Sequence, residues 1–138
     1  MRYLLDTNVI SEAIRPRPNR SVLSWLTQHA PSSGISVITM GEIWKGIESL
    51  PEGRRREAYE DWFRSQEEEF ADRVVPLEFD VMKTWGIYAA EQAREGRRLL
   101  SFDSLIAATA LHHGMTVVTR NEEDFPGVPV ENPWEWGK

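Results

Sequence analysis

Cysteine is absent from all 138 residues, which excludes a disulfide scaffold and a thiolate zinc site and fits a reducing compartment. Long apolar runs are absent as well, so no segment reaches the roughly 20 residues that a membrane-spanning helix needs. The start carries one basic residue, Arg2, and an apolar stretch cut short by Asp6. That is not a secretory signal, and a cytoplasmic location is expected. Histidine is scarce, and His112 and His113 fall at a predicted helix end, where partial positive charge is favourable without any catalytic role. There is no Gly-rich phosphate loop, no dinucleotide fingerprint, and no Ser/His/Asp or Cys/His arrangement. Internal repeats and low-complexity tracts are also missing.

Positive charge is the minority sign. Sixteen Lys and Arg face 22 Asp and Glu, a net charge of −6, which argues against binding nucleic acid through the whole surface. The basic residues cluster at Arg15, Arg17 and Arg20, at Arg54 to Arg56, and at Arg97 with Arg98. Each cluster reads as a solvated helix end or loop unless it borders a site.

What is present is a globular composition, 41% hydrophobic and 28% charged, in a chain long enough to bury one continuous core. One domain over residues 1–138 is the simplest organisation. Tyr3 to Leu5 reads as a short buried strand, and Val9, Ile10, Ala13 and Ile14 follow at helical spacing as far as Arg15-Pro-Arg-Pro. A second helix is predicted from about Asn19, then a turn over Pro31–Gly34 and a strand over Ile35–Ile38. Thr39 with Glu42 matches a capping box at the head of a third helix. A long helix follows Gly53, with Tyr59, Trp62, Phe63 and Phe70 inward. Val74–Leu77 reads as a strand or an extended connection, and Asp80 is a candidate cap for the helix of Val81, Trp85 and Tyr88. Ser101 is the expected cap of an Ala-rich helix that Gly114 ends. Met115–Thr119 is a clear strand, Val128–Val130 an edge strand, and the Trp134 and Trp136 tail is expected to pack back. Strands alternating with helices predict an α/β fold with a central, mostly parallel sheet covered on both faces.

In such a sheet, ligands bind outside the carboxyl ends of the strands. Asp6, Glu42, Asp103 and Asp124 each lie at a helix start or in the polar turn after a strand. Two readings stand side by side. Acids at these positions cap helices or favour the helix dipole; gathered in one cleft, they form an anionic site. Two carboxylates about 5 Å apart repel by about 3 kcal/mol at an effective dielectric of about 20, so a shared cleft needs raised pKa values or a hard divalent cation. All-oxygen ligands suit Mg²⁺ or Mn²⁺ rather than zinc, and such a cleft serves metal-assisted hydrolysis of phosphodiesters.

Asp6-Thr-Asn-Val-Ile, Gly41-Glu-Ile, Phe102-Asp-Ser-Leu-Ile-Ala-Ala-Thr-Ala, and Val118-Thr-Arg-Asn with Asp124-Phe together resemble the motifs of PIN-domain ribonucleases, over essentially the whole chain. Within that family the chain resembles the VapC and FitB-like toxins of toxin–antitoxin pairs. The resemblance implies a three-layer α/β/α sandwich, Mg²⁺- or Mn²⁺-dependent endoribonuclease activity, an RNA substrate, inhibition by a cognate antitoxin, and a homodimer or a toxin–antitoxin hetero-oligomer. It carries the acidic metal-site positions onto Asp6, Glu42, Asp103 and Asp124, and polar support onto Asn8, Thr119 and Asn121. Glu122 and Glu123 beside Asp124 leave open which acid turns inward. Arg97, Arg98 and Arg120 are candidates for guiding RNA phosphates. The rival readings are a non-enzymatic protein-binding module whose acids are caps, and a DNA or flap nuclease using the same cleft.

Overall fold

Residues 1–137 are described by a computed structural model of the chain. Five short parallel strands form one sheet: β1 (Tyr3–Leu5), β2 (Ser33–Ser36), β3 (Val74–Val75), β4 (Thr116–Val118) and β5 (Val130–Glu131), in the spatial order β3-β2-β1-β4-β5. The central strand is the first in the chain. Tyr3 stands opposite Ser33 on one side and Thr116 on the other, and Leu5 stands opposite Val118. All three β1 residues are buried, because a central parallel strand is covered on both faces.

Alternate side chains of that strand seed two cores. Leu5 belongs to the cluster built from α1 (Thr7–Glu12), α2 (Arg20–His29), α3 (Val37–Glu48) and α4 (Arg54–Glu69), through Val9, Ile10, Trp25, Ile43, Ile47 and Phe63. Leu4 belongs to the opposite cluster with α5 (Phe79–Arg94) and α6 (Ser101–His113), through Tyr88, Ile106, Ala107 and Ala110. The expected α/β/α sandwich is therefore the observed one. The small Ala107 and Ala110, fully buried, let α6 lie close on the sheet. Trp134 joins the first core and Trp136 packs against it, as expected of the tail.

Local chemistry sets several boundaries. Asn19 caps α2, its Oδ1 accepting from the Ser21 and Val22 amides at 2.9 and 3.2 Å. Gly114 ends α6 at φ +66°, the left-handed conformation that glycine adopts without a Cβ penalty. The residues expected to turn at Pro31–Gly34 instead form a 3-10 turn, Ala30–Ser32, and then enter β2. Gly34 sits where a Cβ would come within 3.1 Å of the Arg73 carbonyl oxygen. That carbonyl is held in place by the Ile35 amide at 3.0 Å.

The expected strand at Ile35–Ile38 and the Thr39–Glu42 capping box are corrected. β2 ends at Ser36, and Ser36 caps α3, its Oγ accepting from the Ile38 amide at 3.1 Å. Val37 and Ile38, β-branched and read as strand, begin the helix instead. Thr39 is buried within it, and its hydroxyl oxygen has no hydrogen-bond partner among the described residues. Two smaller shifts follow the same pattern. α5 starts at Phe79, so Asp80 lies in its first turn, and α6 starts at Ser101 itself, after Leu100.

Candidate active site

Asp6 directly follows β1, and its amide donates to the Val118 carbonyl of β4 at 2.9 Å, which ties the acid to the end of two neighbouring strands. Its side chain is 7% exposed. One carboxylate oxygen, Oδ1, accepts from the Thr7 amide at 2.8 Å; the other, Oδ2, accepts from the Thr119 hydroxyl at 2.9 Å and the Asn8 amide nitrogen at 3.2 Å. Asp6 is thus the cap of α1 and a cleft residue at once, and the two readings of it are compatible. Thr119 is fully buried just past β4, and its hydroxyl oxygen also accepts from the Asn121 amide at 3.0 Å. The Asn8 side-chain oxygen accepts from the Arg120 amide at 3.2 Å. Asn8 and Thr119 therefore join the two loops beside β1 and β4, whereas Asn121 contributes its backbone.

Glu42 lies in α3, released from the capping role the sequence suggested, and its Oε1 accepts from the Thr7 hydroxyl of α1 at 3.1 Å. Asp103 lies in the first turn of α6. Asp124 lies in a 3-10 turn, Glu122–Asp124, after β4.

The charges of these four acids act on one another. Burial raises the Asp6 carboxyl above its ordinary value against the pull of its hydrogen bonds to Thr119, Thr7 and Asn8, and the charge of Asp124 raises it further. Burial also raises Glu42, with the Thr7 hydrogen bond opposing, the Asp6 charge adding, and Lys45 opposing. Asp103 is pushed up to about 6, first by burial and then by the charges of Asp124, Asp6 and Glu42. Among the described residues its side chain accepts no hydrogen bond that would offset them. The acid of the 122–124 turn that acts on Asp6 and Asp103 is Asp124; Glu122 instead accepts from the Asn132 side chain at 3.5 Å.

The oxygen-only donor set suits a hard divalent cation, and the mutual repulsion of the acids is the field such an ion relieves. Among the described residues, however, no three acids or histidines are placed to enclose an ion. The carboxylates sense one another across the cleft, and a cation would have to draw them closer.

The sequence model of the PIN domain matches residues 3–130. The chain belongs to the PIN-domain family. Two relatives span nearly its whole length. This PIN domain is 35% identical over 136 residues to the VapC ribonuclease Y4jK of Sinorhizobium fredii, covering 96% of this chain and 97% of the relative. It is 36% identical over 135 residues to the toxin FitB of Neisseria gonorrhoeae, covering 95% and 97%. Its fold matches the solved structure of FitAB bound to the IR36 DNA fragment with a TM-score of 0.92 at 34% identity, covering 99% of this chain and 98% of that one.

The candidate arginines of this PIN domain differ in their surroundings, and Arg120 borders the site through its amide, which donates to the Asn8 side chain. None of them is among the charges that shift Asp6, Glu42 or Asp103. Arg120 lies over the Trp134 ring, 5.1 Å from its centroid, and Arg97 bonds to Gln92 at 2.9 Å and pairs with Glu95. Two residues of the site escaped the sequence reading. The Thr7 hydroxyl, suited to a helix start, links two helices instead. Lys45 is a cation whose charge opposes the rise at Glu42, and its only signal was the i,i+3 spacing on a helix.

Proposed function

We propose that this PIN-domain protein is a divalent-metal-dependent endoribonuclease and the toxin of a toxin–antitoxin pair, working in the cytoplasm and held in check by a cognate antitoxin. The observation that supports the catalytic reading is the mutual electrostatic influence of Asp6, Glu42, Asp103 and Asp124, which come from four separate stretches of the chain. Full-length likeness to the VapC ribonuclease and to the toxin FitB supports RNA as substrate, and the FitAB structure supports a protein partner.

Asp6 and Asp103 are assigned as the primary ligands of Mg²⁺ or Mn²⁺, with Glu42 and Asp124 completing the anionic cleft. When bound, the cation supplies positive charge to the phosphodiester and acidifies the attacking water. The chain supplies the rest. Thr7, Asn8 and Thr119 fix both oxygens of Asp6, so its carboxylate cannot turn away. Thr7 also orients Glu42 toward the same cleft. Asp103 and Asp124 accept no hydrogen bond through their side chains among the described residues and keep their lone pairs for the ion or for a proton taken from water.

The deciding experiment is Asp6→Asn, assayed on single-stranded RNA with Mg²⁺, with Mn²⁺ and with chelator. The variant is expected to fold, as shown by an unchanged circular dichroism spectrum, and to lose cleavage by at least about a hundredfold. Cleavage at the wild-type rate by Asp6→Asn would sink the assignment.

A further inference from the structure

Among the described residues, the Thr39 hydroxyl is the one buried side-chain oxygen or nitrogen without a hydrogen-bond partner, and Thr39 is fully buried. A buried hydroxyl left unpaired is costly, so its presence calls for a reason. Two other helical threonines avoid that cost by bonding back to the carbonyl four residues earlier. Thr109 does so to Leu105 at 2.7 Å, and Thr27 to Leu23 at 2.9 Å. Thr39 has no such helical carbonyl, because it lies in the first turn of α3 and the residue four before it, Ile35, is still in β2.

Ile38 packs against the core formed with α5 and α6, whereas Met40, Ile43 and Ile47 face the core formed with α1, α2 and α4. Thr39 therefore lies on the seam between the two cores. It comes just after the carboxyl end of β2, as Asp6 comes just after that of the neighbouring β1. Glu42 is three residues further along the same side of α3, and helical side chains lean toward the N-terminus of their helix. The Glu42 side chain thus leans back over the turn that holds Thr39. Its Oε1 accepts from the Thr7 hydroxyl at 3.1 Å, while its Oε2 accepts no hydrogen bond among the described residues. An unused donor and an unused acceptor stand one helical turn apart.

We propose that Thr39 is a positioning residue for the metal site: when Glu42 is drawn into the cleft by a divalent cation, the Thr39 hydroxyl donates to its Oε2 while Thr7 keeps Oε1. This rests on the metal-dependent reading above. With both oxygens held, the Glu42 carboxylate is fixed as the Asp6 carboxylate already is by Thr7, Asn8 and Thr119. The hydroxyl is unsatisfied in the free protein and satisfied in the loaded one, so stability and metal affinity pull on Thr39 in opposite directions.

The test compares Thr39→Val, which removes the hydroxyl and keeps the shape, with Thr39→Ser, which keeps the hydroxyl. Both are measured by urea denaturation in chelator and by calorimetric titration with Mn²⁺. Thr39→Val is expected to unfold at the same urea concentration as wild type or a higher one, and to bind Mn²⁺ about tenfold more weakly, the size of one hydrogen bond to a charged group. Thr39→Ser is expected to unfold earlier, through loss of a buried methyl, yet to bind Mn²⁺ within about twofold of wild type. On a Glu42→Ala background, Thr39→Val is expected to weaken Mn²⁺ binding no further. Wild-type Mn²⁺ affinity in Thr39→Val overturns the proposal, and so does a lower urea midpoint in chelator, which would show that the hydroxyl is already satisfied in the free protein. If wild type itself binds no Mn²⁺, the metal-dependent reading falls with it.

Discussion

Asp103 is pushed up to about 6 by burial and then by three other acids, and among the described residues its side chain accepts no hydrogen bond in return. Its ordinary value is 3.8, so the folded state binds the proton more tightly than the unfolded state does. For the metal-free protein this contribution to stability is full at low pH and is lost as pH rises through about 6. Asp6 and Glu42, also raised, act in the same sense. Melting in chelator is therefore expected to occur at higher temperature near about pH 5 than near about pH 7.5, and Asp103→Asn to flatten the difference. A wild-type curve rising over that range would contradict the assignment. Asp6 and Asp103 were legible as candidates because one follows a strand and the other lies in the first turn of a helix, whereas Glu42 was singled out for a capping role that it does not have, since it lies inside α3. Thr7 and Lys45 were not legible, since a hydroxyl bridging α1 to α3 and a cation beside Glu42 exist only once those helices pack.

At the scale of elements, α3 matters most, because it carries Glu42 into the cleft. Its start is set by Ser36, and Ser36→Ala is expected to cost about 1 kcal/mol of stability, measured by urea denaturation. Loosening this turn also loosens the hold on Glu42, so RNA cleavage should fall along with stability. The sequence placed this boundary three residues late. Val37 and Ile38 favour strands by their branched side chains, but Ser36 offers the cap and the sheet needs only Ser33–Ser36, whose partners end at Leu4 and Val75. Where a single side chain decides locally, as Asn19 does for α2 and Gly114 for α6, the sequence reading and the structure agree. Where packing decides, propensity misleads.

Over the whole molecule, the layer order and parallel sheet were legible from alternating strand and helix patterns, whereas the strand order β3-β2-β1-β4-β5 was not, because nothing local says which neighbours Tyr3–Leu5 will take. An ion that binds only the assembled cleft ties its affinity to the stability of the entire fold. Saturation with Mn²⁺ at about 100 times its dissociation constant is expected to add about 2.7 kcal/mol, read as a rise in melting temperature at neutral pH. Asp6→Asn should abolish most of that rise, and an undiminished rise in the variant would place the ion elsewhere. The middle strand has a further consequence during synthesis. It leaves the ribosome first, yet its partner on one side, and the Thr119 hydroxyl that steadies Asp6, lie more than a hundred residues later. A nascent chain halted anywhere before Val118 has Asp6 but neither the β4 strand beside it nor the Thr119 hydroxyl that steadies it, so the cleft is assembled only once nearly the whole chain has been made.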